Sequence, residues 1–194
     1  MFERKKFIEE SLKESSEIKL NVLETCYGDI FKASQMILET IRTGNKMMLC
    51  GNGGSAADSQ HLATEFMIRL SHDIVRKAIP AIALSTDSSN LTAGGNDIGF
   101  ENIFARNIEG IGREGDLLIG ISTSGNSKNI VKAVQAAKSI GIRTIGLLGS
   151  GGGKLKDECE HSIIVPSDNV QRIQESHITI GHILCEITER ELYS

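Results

Sequence analysis

The sequence predicts an α/β protein, a three-layer αβα sandwich in which a parallel sheet of about five strands lies between helices. Two observations lead to this prediction. From Lys46 onward, short apolar runs alternate with segments whose apolar residues recur every three or four positions, the strand–helix order that builds parallel sheets. Loops rich in glycine and hydroxyl groups follow several of these runs, at the strand ends where such sheets bind ligands.

The bulk composition excludes several classes of protein. A chain of 194 residues is long enough to bury a sizeable core, so we expect 1–194 to form a single domain. The net charge is −4 and aromatic residues make up only 4%, which argues against binding nucleic acid by charge or stacking. The four cysteines lack metal-knuckle spacing, the first residues printed lead into no apolar run typical of a leader, and no run approaches the length of a membrane span. We therefore expect a cytoplasmic protein that contacts neither nucleic acid nor membrane.

The N-terminal part precedes the α/β pattern. Residues 2 to about 42 predict two helices with a break near Ser15 and Ser16, and the second helix has an apolar side. An α/β domain does not need such an N-terminal segment to fold, so we predict that 1–44 form a helical extension used in oligomerisation. A helical lid on the sheet of the same subunit is the alternative.

Five apolar segments are the predicted strands: 47–51, 78–84, 116–121, 144–148 and 162–165. The last helix, predicted from about 170 to 192, is apolar over most of its circumference, which indicates burial on several sides. The segment 149–153 is interpreted as only a flexible loop after the fourth strand.

A loop of hydroxyl residues after the third strand is the first candidate site. Ser122, Thr123 and Ser124 lead through Gly125 to Ser127, which stands as N-cap before a helix beginning at Lys128. Unpaired backbone N–H groups, the helix dipole and hydroxyl donors converge there, so we predict an anion site for a phosphate monoester. The alternative is a tight turn whose hydroxyls merely cap the helix.

Two further loops contain glycine and polar residues. The segment 51–55 follows the first strand and opens a helix, with Ser55 and Asp58 spaced as a capping box. It matches neither the dinucleotide fingerprint nor the Walker loop. The segment 94–97 falls in an irregular region and is interpreted as a turn.

Titratable residues recur on two of the predicted helices. His61 and Glu65 share a stripe of the helix from Ala56, a spacing that suits two metal ligands or a general base with its orienting partner. The alternative is a solvated face with Glu65 paired to Arg69. On the last helix, His177 falls on the apolar stripe and His182 on a polar one, and the pattern alone does not choose between them as site residues.

Four segments together resemble the sugar isomerase (SIS) domain family, and within it the enzymes that isomerise sedoheptulose 7-phosphate. They are CGNGGSAADSQHLATE, GNDIGFENIF, REGDLLIGISTSGNS and RIQESHITIGHILCE. The resemblance runs in register from about Phe31 to the C-terminus. It implies a flavodoxin-like sheet preceded by an N-terminal helical pair, a homotetramer with active sites at subunit interfaces, and the first step of nucleotide-activated heptose biosynthesis for lipopolysaccharide or capsule.

The resemblance also implies roles for individual residues. It places the phosphate on Ser122, Thr123, Ser124 and Ser127. The sugar-contacting positions that it implies are Asn52, Gly53, Gly54, Ser55, Glu65, Asn96, Asp97 and Gln174. It assigns one zinc ion per subunit to His61, Glu65, Gln174 and His182, and it makes Glu65 and His182 the acid/base pair. Because glutamine is an unusual zinc ligand, we expect the ion to bind weakly. Some family members carry Asp where this chain has Gln171.

Two other functions are weighed against the isomerase. A non-catalytic SIS-domain regulator that binds the replication initiator has a very similar glycine loop but, as the family implies, lacks the second histidine of the last helix. An aminosugar-phosphate isomerase usually pairs two SIS domains in one chain, and only one fits here. His182 and the complete hydroxyl loop therefore favour the sedoheptulose 7-phosphate isomerase.

Overall fold

The computed structural model describes residues 2–194 and contains one parallel sheet. The strands are β1 Met47–Gly51, β2 Ala81–Ala83, β3 Leu117–Ser122, β4 Arg143–Leu148 and β5 His161–Ile164. They pair in the order β2-β1-β3-β4-β5, all in parallel. Every residue of β1 and β3 is buried, which explains why both read as unbroken apolar runs. The predicted α/β fold is confirmed.

Helices cover both faces of the sheet. They are α1 Arg4–Arg42, α2 Gly54–Met67, α3 Ser88–Asp97, α4 Ile103–Ile111, α5 Lys128–Ser139, α6 Leu155–Glu158 and α7 Val170–Tyr193. On one face α1, α2 and α7 pack against strand residues such as Met47 and Leu49; on the other, α4 and α5 pack against Met48 and Cys50. The alternation of strand side chains thus supplies a core to each layer.

The N-terminal segment is a single helix, so the predicted break near Ser15 and Ser16 is wrong. The Ser16 hydroxyl donates to the Leu12 carbonyl one turn earlier, and the Ser15 hydroxyl accepts from Lys19. Such bonds let serine remain inside a helix. None of the helix residues before Val22 is buried. Although α1 and α7 are long, no helix within residues 2–194 is apolar enough over a sufficient length to cross a bilayer.

The region after the second strand also differs from the prediction. The strand predicted over 78–84 is limited to Ala81–Ala83, since Pro80 has no N–H to donate to a neighbouring strand. The segment 94–97, interpreted as a turn, is the last turn of α3. Asp87 caps this helix by accepting from the Asn90 N–H at 3.0 Å, which offsets the low helix propensity of its glycines.

Candidate active site

The two glycine- and hydroxyl-containing loops meet at the carboxyl ends of neighbouring strands. Gly51 at the end of β1 lies opposite Ile121 of β3, so the loops that follow them are adjacent. The side chains of Asn52 and Asn129 join the loops by exchanging two hydrogen bonds, of 2.9 and 2.8 Å. Asn129 was not among the predicted site residues, because a buried amide in the first turn of a helix has no distinct sequence signal.

The hydroxyl loop has the form of an anion cradle. The hydroxyls of Ser122 and Ser127 lie 3.1 Å apart, and Ser122 is buried. Ser127 occupies the N-cap position of α5, as predicted, but its side chain caps no backbone N–H. The alternative in which the hydroxyls merely cap the helix therefore fails at Ser127. Ser124 accepts from the Asn126 N–H at 3.2 Å, and Thr123 is half-buried beside it.

The segment 149–153 packs against this hydroxyl loop, so its interpretation as only a flexible connection is wrong. The Leu155 N–H donates to the Gly125 carbonyl at 3.0 Å, and the Lys154 N–H donates to the Asn126 side chain at 3.1 Å. A Cβ at Gly153 would stand 2.6 Å from the Ser124 carbonyl oxygen, closer than real contacts allow. Glycine is therefore needed because the two backbones touch.

The loop after β1 begins α2 without the predicted capping box. The helix starts at Gly54, with Gly53 in the N-cap position and no side-chain cap. Ser55 consequently lies inside the first turn, where it is buried. Burial raises the pKa of the Asp58 carboxyl, an effect that nearby His61 opposes.

Helices α2 and α7 run side by side in the same direction. Gln174 lies against Gly54, where an added Cβ would stand 2.5 Å from its amide nitrogen. Gly181, the residue before His182, lies against Leu62 so closely that a Cβ there would stand 2.5 Å from a Leu62 methyl group. Because the helices are parallel and this close, Gln174 and Gly181, two turns apart on α7, face Gly54 and Leu62, which are about two turns apart on α2.

Three predicted metal ligands come together between these helices. Nε2 of His61 lies 2.8 Å from Nε2 of His182 and 3.4 Å from Oε1 of Glu65. One ligand atom from each of the three residues falls within 4.8 Å of the others. The alternative that pairs Glu65 with Arg69 is wrong, since α2 ends at Met67 and the side chain beside the Glu65 carboxylate is the His61 imidazole. His182 is half-buried, which also removes its interpretation as a surface histidine.

The donor set of this triad suits a zinc ion. Two imidazole nitrogens and one carboxylate are the three protein ligands of many catalytic zinc sites, in which a fourth position remains for water or substrate. The side chain of Gln174, the predicted fourth ligand, lies against Gly54 at the start of α2 and not beside these three residues. The three residues are nevertheless a sufficient set of protein ligands for zinc.

His177 belongs to the core, as its position on the apolar stripe predicts. It is fully buried, and its Nε2 lies 3.0 Å from the Leu148 carbonyl oxygen. Burial lowers the pKa of the imidazole to about 4, so the ring is neutral near pH 7 and Nε2–H donates this bond.

Other predicted sugar contacts lie outside the triad and the hydroxyl loop. Asn96 and Asp97 are exposed at the end of α3 and hydrogen-bond to each other at 2.7 Å. The residues just after them line a cavity of about 430 Å³ that Asn52 and Ser127 also line. Gln171 is exposed in the first turn of α7, and its N–H donates to the capping side chain of Asn169.

Comparisons with known proteins identify the family. A family model described as SIS domain matches residues 11–149. The phosphoheptose isomerase of Akkermansia muciniphila is 53% identical over 88% of this chain and 89% of its own. That of Clostridium acetobutylicum is 52% identical over 97% of this chain and 96% of its own.

Solved structures agree with the sequence comparison. A phosphoheptose isomerase from Francisella tularensis superposes with a TM-score of 0.93 at 33% identity, covering 97% of this chain and all of that one. The phosphoheptose isomerase from Neisseria gonorrhoeae gives 0.90 at 35% identity with the same coverage. The chain belongs to the SIS domain family and, within it, to the phosphoheptose isomerases.

Proposed function

We propose that this protein isomerises sedoheptulose 7-phosphate to D-glycero-D-manno-heptose 7-phosphate, the first step of nucleotide-activated heptose biosynthesis for lipopolysaccharide or capsule. Two observations carry the proposal: an anion cradle at the carboxyl end of β3, and a carboxylate beside two imidazoles between α2 and α7. Relatives about half identical over nearly the whole chain are phosphoheptose isomerases. This favours the isomerase over the regulator of replication initiation.

The reaction moves a proton between C1 and C2 of the sugar through a cis-enediol(ate). A base must remove the proton from one carbon and return it to the other, and an acid must serve the two oxygens. Glu65 is the base in this proposal because its carboxylate is largely shielded from water and lies beside two imidazoles. His182 is the partner acid/base, since it faces Glu65 from the opposite helix.

His61, Glu65 and His182 would hold the zinc ion, and the predicted fourth ligand, Gln174, lies apart from them at Gly54. Bound there, zinc would polarise the sugar oxygens and stabilise negative charge on them. Glu65 has two carboxylate oxygens, so one can bind the ion while the other accepts the proton. The Gln174 side chain at Gly54 also suits a direct contact with the sugar.

The remaining predicted residues bind the substrate. Ser122, Thr123, Ser124 and Ser127 would hold the phosphate, and the loop Asn52–Ser55 would contact the sugar from the neighbouring strand end. Asn96 and Asp97 would complete the contacts in the assembled protein, because they are exposed in one chain and lie next to the cavity beside Asn52.

Turnover of sedoheptulose 7-phosphate by the purified protein tests the proposed function directly. The aldose and ketose heptose 7-phosphates should reach a constant ratio, and this ratio should be the same whichever of the two sugars is supplied. Glucosamine 6-phosphate and fructose 6-phosphate are the comparison substrates. Preference for one of them, or no turnover of any sugar phosphate by zinc-loaded protein, would contradict the proposal.

The assembly proposed is a homotetramer joined in part by α1. Leu20, Leu23, Tyr27 and Phe31 form an exposed apolar stripe on this helix, each more than half exposed. Leu23, Tyr27 and Phe31 also line an apolar cavity of about 320 Å³ between α1 and α7. A stripe this apolar is typical of a surface that another chain covers.

Replacing Leu23 by Glu should dissociate the tetramer, because a charge would have to be buried in an apolar interface. Sedimentation velocity at micromolar concentration measures this directly. Ile111→Glu is the matched control, as it places the same charge on an exposed apolar residue of α4, in the other helical layer. A native protein that sediments as a monomer would contradict the proposed assembly.

The phosphate loop should affect substrate binding more than chemistry. The phosphate is unchanged by the reaction, so its contacts are nearly equal in ground state and transition state and act mainly on KM. Ser122→Ala and Ser124→Ala are expected to raise KM several-fold in steady-state assays. Ser139→Ala, at the other end of α5, is the control. A fall in kcat with KM unchanged would argue against the phosphate assignment.

A further inference from the structure

The connection from α2 to β2 is held to the protein by a buried ion pair. Arg76 lies in this irregular segment and Glu189 lies in the last third of α7. Nε of Arg76 is 2.7 Å from Oε1 of Glu189, and the side chains are 0% and 1% exposed. A pair so fully removed from water stabilises a fold little compared with apolar residues of the same shape. Its contacts therefore suggest a role other than stability alone.

Arg76 binds the backbone of the proposed catalytic base. Its Nη2 donates to the Glu65 carbonyl oxygen at 2.7 Å, and its Nη1 donates to the Lys77 carbonyl at 2.9 Å. Because α2 ends at Met67, the Glu65 carbonyl is one of the last four of the helix, which have no partner inside it. Arg76 thus caps the turn of α2 that carries Glu65.

Glu189 fixes the chain just beyond that turn. Its two carboxylate oxygens accept from the N–H groups of Leu70 and Ser71, each at 2.9 Å. Burial alone would raise the pKa of Glu189, but these bonds and Arg76 bring it below its usual value, so the carboxylate stays charged. Glu189 also lies seven residues, two turns, after His182 on α7. One face of α7 therefore presents both His182 and the anchor for the end of α2.

We propose that Arg76 and Glu189 are positioning residues of the isomerase site, which hold the Glu65 turn of α2 in register with His182 of α7. The proposal rests on the proposed function for the roles of Glu65 and His182. Those two side chains come from different helices, so the spacing of their reacting atoms depends on how α2 sits against α7. Contact between Gly181 and Leu62 fixes the distance between α2 and α7 beside His182. The Arg76–Glu189 ion pair fixes that distance two turns further along α7.

Two conservative variants test the proposal. Glu189→Gln keeps the shape but removes the charge, and Arg76→Lys keeps the charge but loses the fork that reaches Glu189 and the Glu65 carbonyl together. In folded protein, each variant is expected to lower kcat by about tenfold or more, since small displacements of catalytic groups are costly. KM should change by less than about twofold, because the phosphate loop lies on β3 and α5. Zinc affinity of the metal-free protein should fall by roughly 10–100-fold, the usual effect of losing a group that orients a ligand.

Asp116→Asn is the matched control. Asp116 is also a buried carboxylate that binds a cation, Lys46, and two backbone N–H groups, of Lys46 and Arg113. It precedes β3, at the end of the sheet opposite the active site. This variant should lower the melting temperature while leaving kcat, KM and zinc affinity of the folded protein unchanged.

Three readouts separate the possible outcomes. If the Arg76 and Glu189 variants lose only thermal stability, as the control does, the pair is merely structural and the proposal is overturned. Should Glu189→Gln fail to fold, Arg76→Lys alone decides in the same way. Should the native protein not turn over heptose phosphate, the proposed function fails, but the ring NMR signals of His61 and His182 still test the positioning. Those signals should shift in both variants and stay in place in Asp116→Asn, and unshifted signals would contradict the proposal.

Discussion

Glu65→Gln is expected to lower kcat by roughly 10²–10⁴, the usual contribution of a positioned proton-transfer group. The amide has nearly the same shape as the carboxylate but cannot accept the proton from the sugar carbon. The Glu65 carboxylate lies 3.4 Å from Nε2 of His61, and glutamine fills the same space, so the variant should fold and assemble normally. Steady-state kinetics with sedoheptulose 7-phosphate measures the effect.

His182→Gln should lower kcat over the same range for the matching reason, loss of the second proton-transfer group. Alanine variants are unsuitable for both residues because they would combine lost chemistry with lost packing. Zinc content must be determined in each variant, since both residues also belong to the proposed metal site. A variant that retains full zinc and a native kcat would exclude its residue from the acid/base pair.

His177→Gln should instead destabilise the fold and change its pH dependence. The buried ring donates to the Leu148 carbonyl, and the loss or distortion of such a bond costs about 1–3 kcal/mol. In the native protein burial lowers the pKa of His177 to about 4 from its ordinary 6.5. Below pH 6.5 the unfolded chain therefore binds a proton that the folded chain excludes, so acidification favours unfolding until the pH approaches the native pKa.

Urea unfolding at fixed protein concentration measures both effects. Between pH 7.5 and pH 5, His177 should cost the native protein about 2 kcal/mol of stability, and the Gln variant should lack this contribution. The other four histidines are common to both proteins and cancel in the difference. An equal loss of stability on acidification in both proteins would show that His177 does not remain neutral in the fold.

The sheet could be predicted from the sequence because its strands are buried on both faces. Each of the five strands lies within its predicted segment or extends one residue beyond it, since the apolar runs are interrupted only at their ends. The helices were harder to predict from the sequence where polar residues dominate. Ser15 and Ser16 resemble a helix end until their hydrogen bonds within α1 are known, and the glycines of α3 conceal a helix that Asp87 caps.

In the candidate site, too, some residues could be predicted from the sequence and others could not. The hydroxyl loop was found from residue type alone, because a strand, small polar residues and a helix start are contiguous in sequence. His61 and Glu65 were found as a pair, but their contact with His182 depends on the parallel packing of α2 and α7, and family resemblance was needed to choose His182 over His177. Asn129, Gly153, Arg76 and Glu189 have no local signal, since each acts through a residue distant in sequence.

The most direct test of the central claim, that Glu65 moves the proton between C1 and C2, is hydrogen exchange with solvent during isomerisation in deuterium oxide. A base that exchanges its proton with water before returning it should place deuterium at C2 of the aldose product. The native protein is expected to incorporate deuterium there, and Glu65→Gln should do so only at a rate reduced in step with kcat. Incorporation by the Glu65 variant at the native rate would show that another group is the base and would contradict the site proposed for this protein.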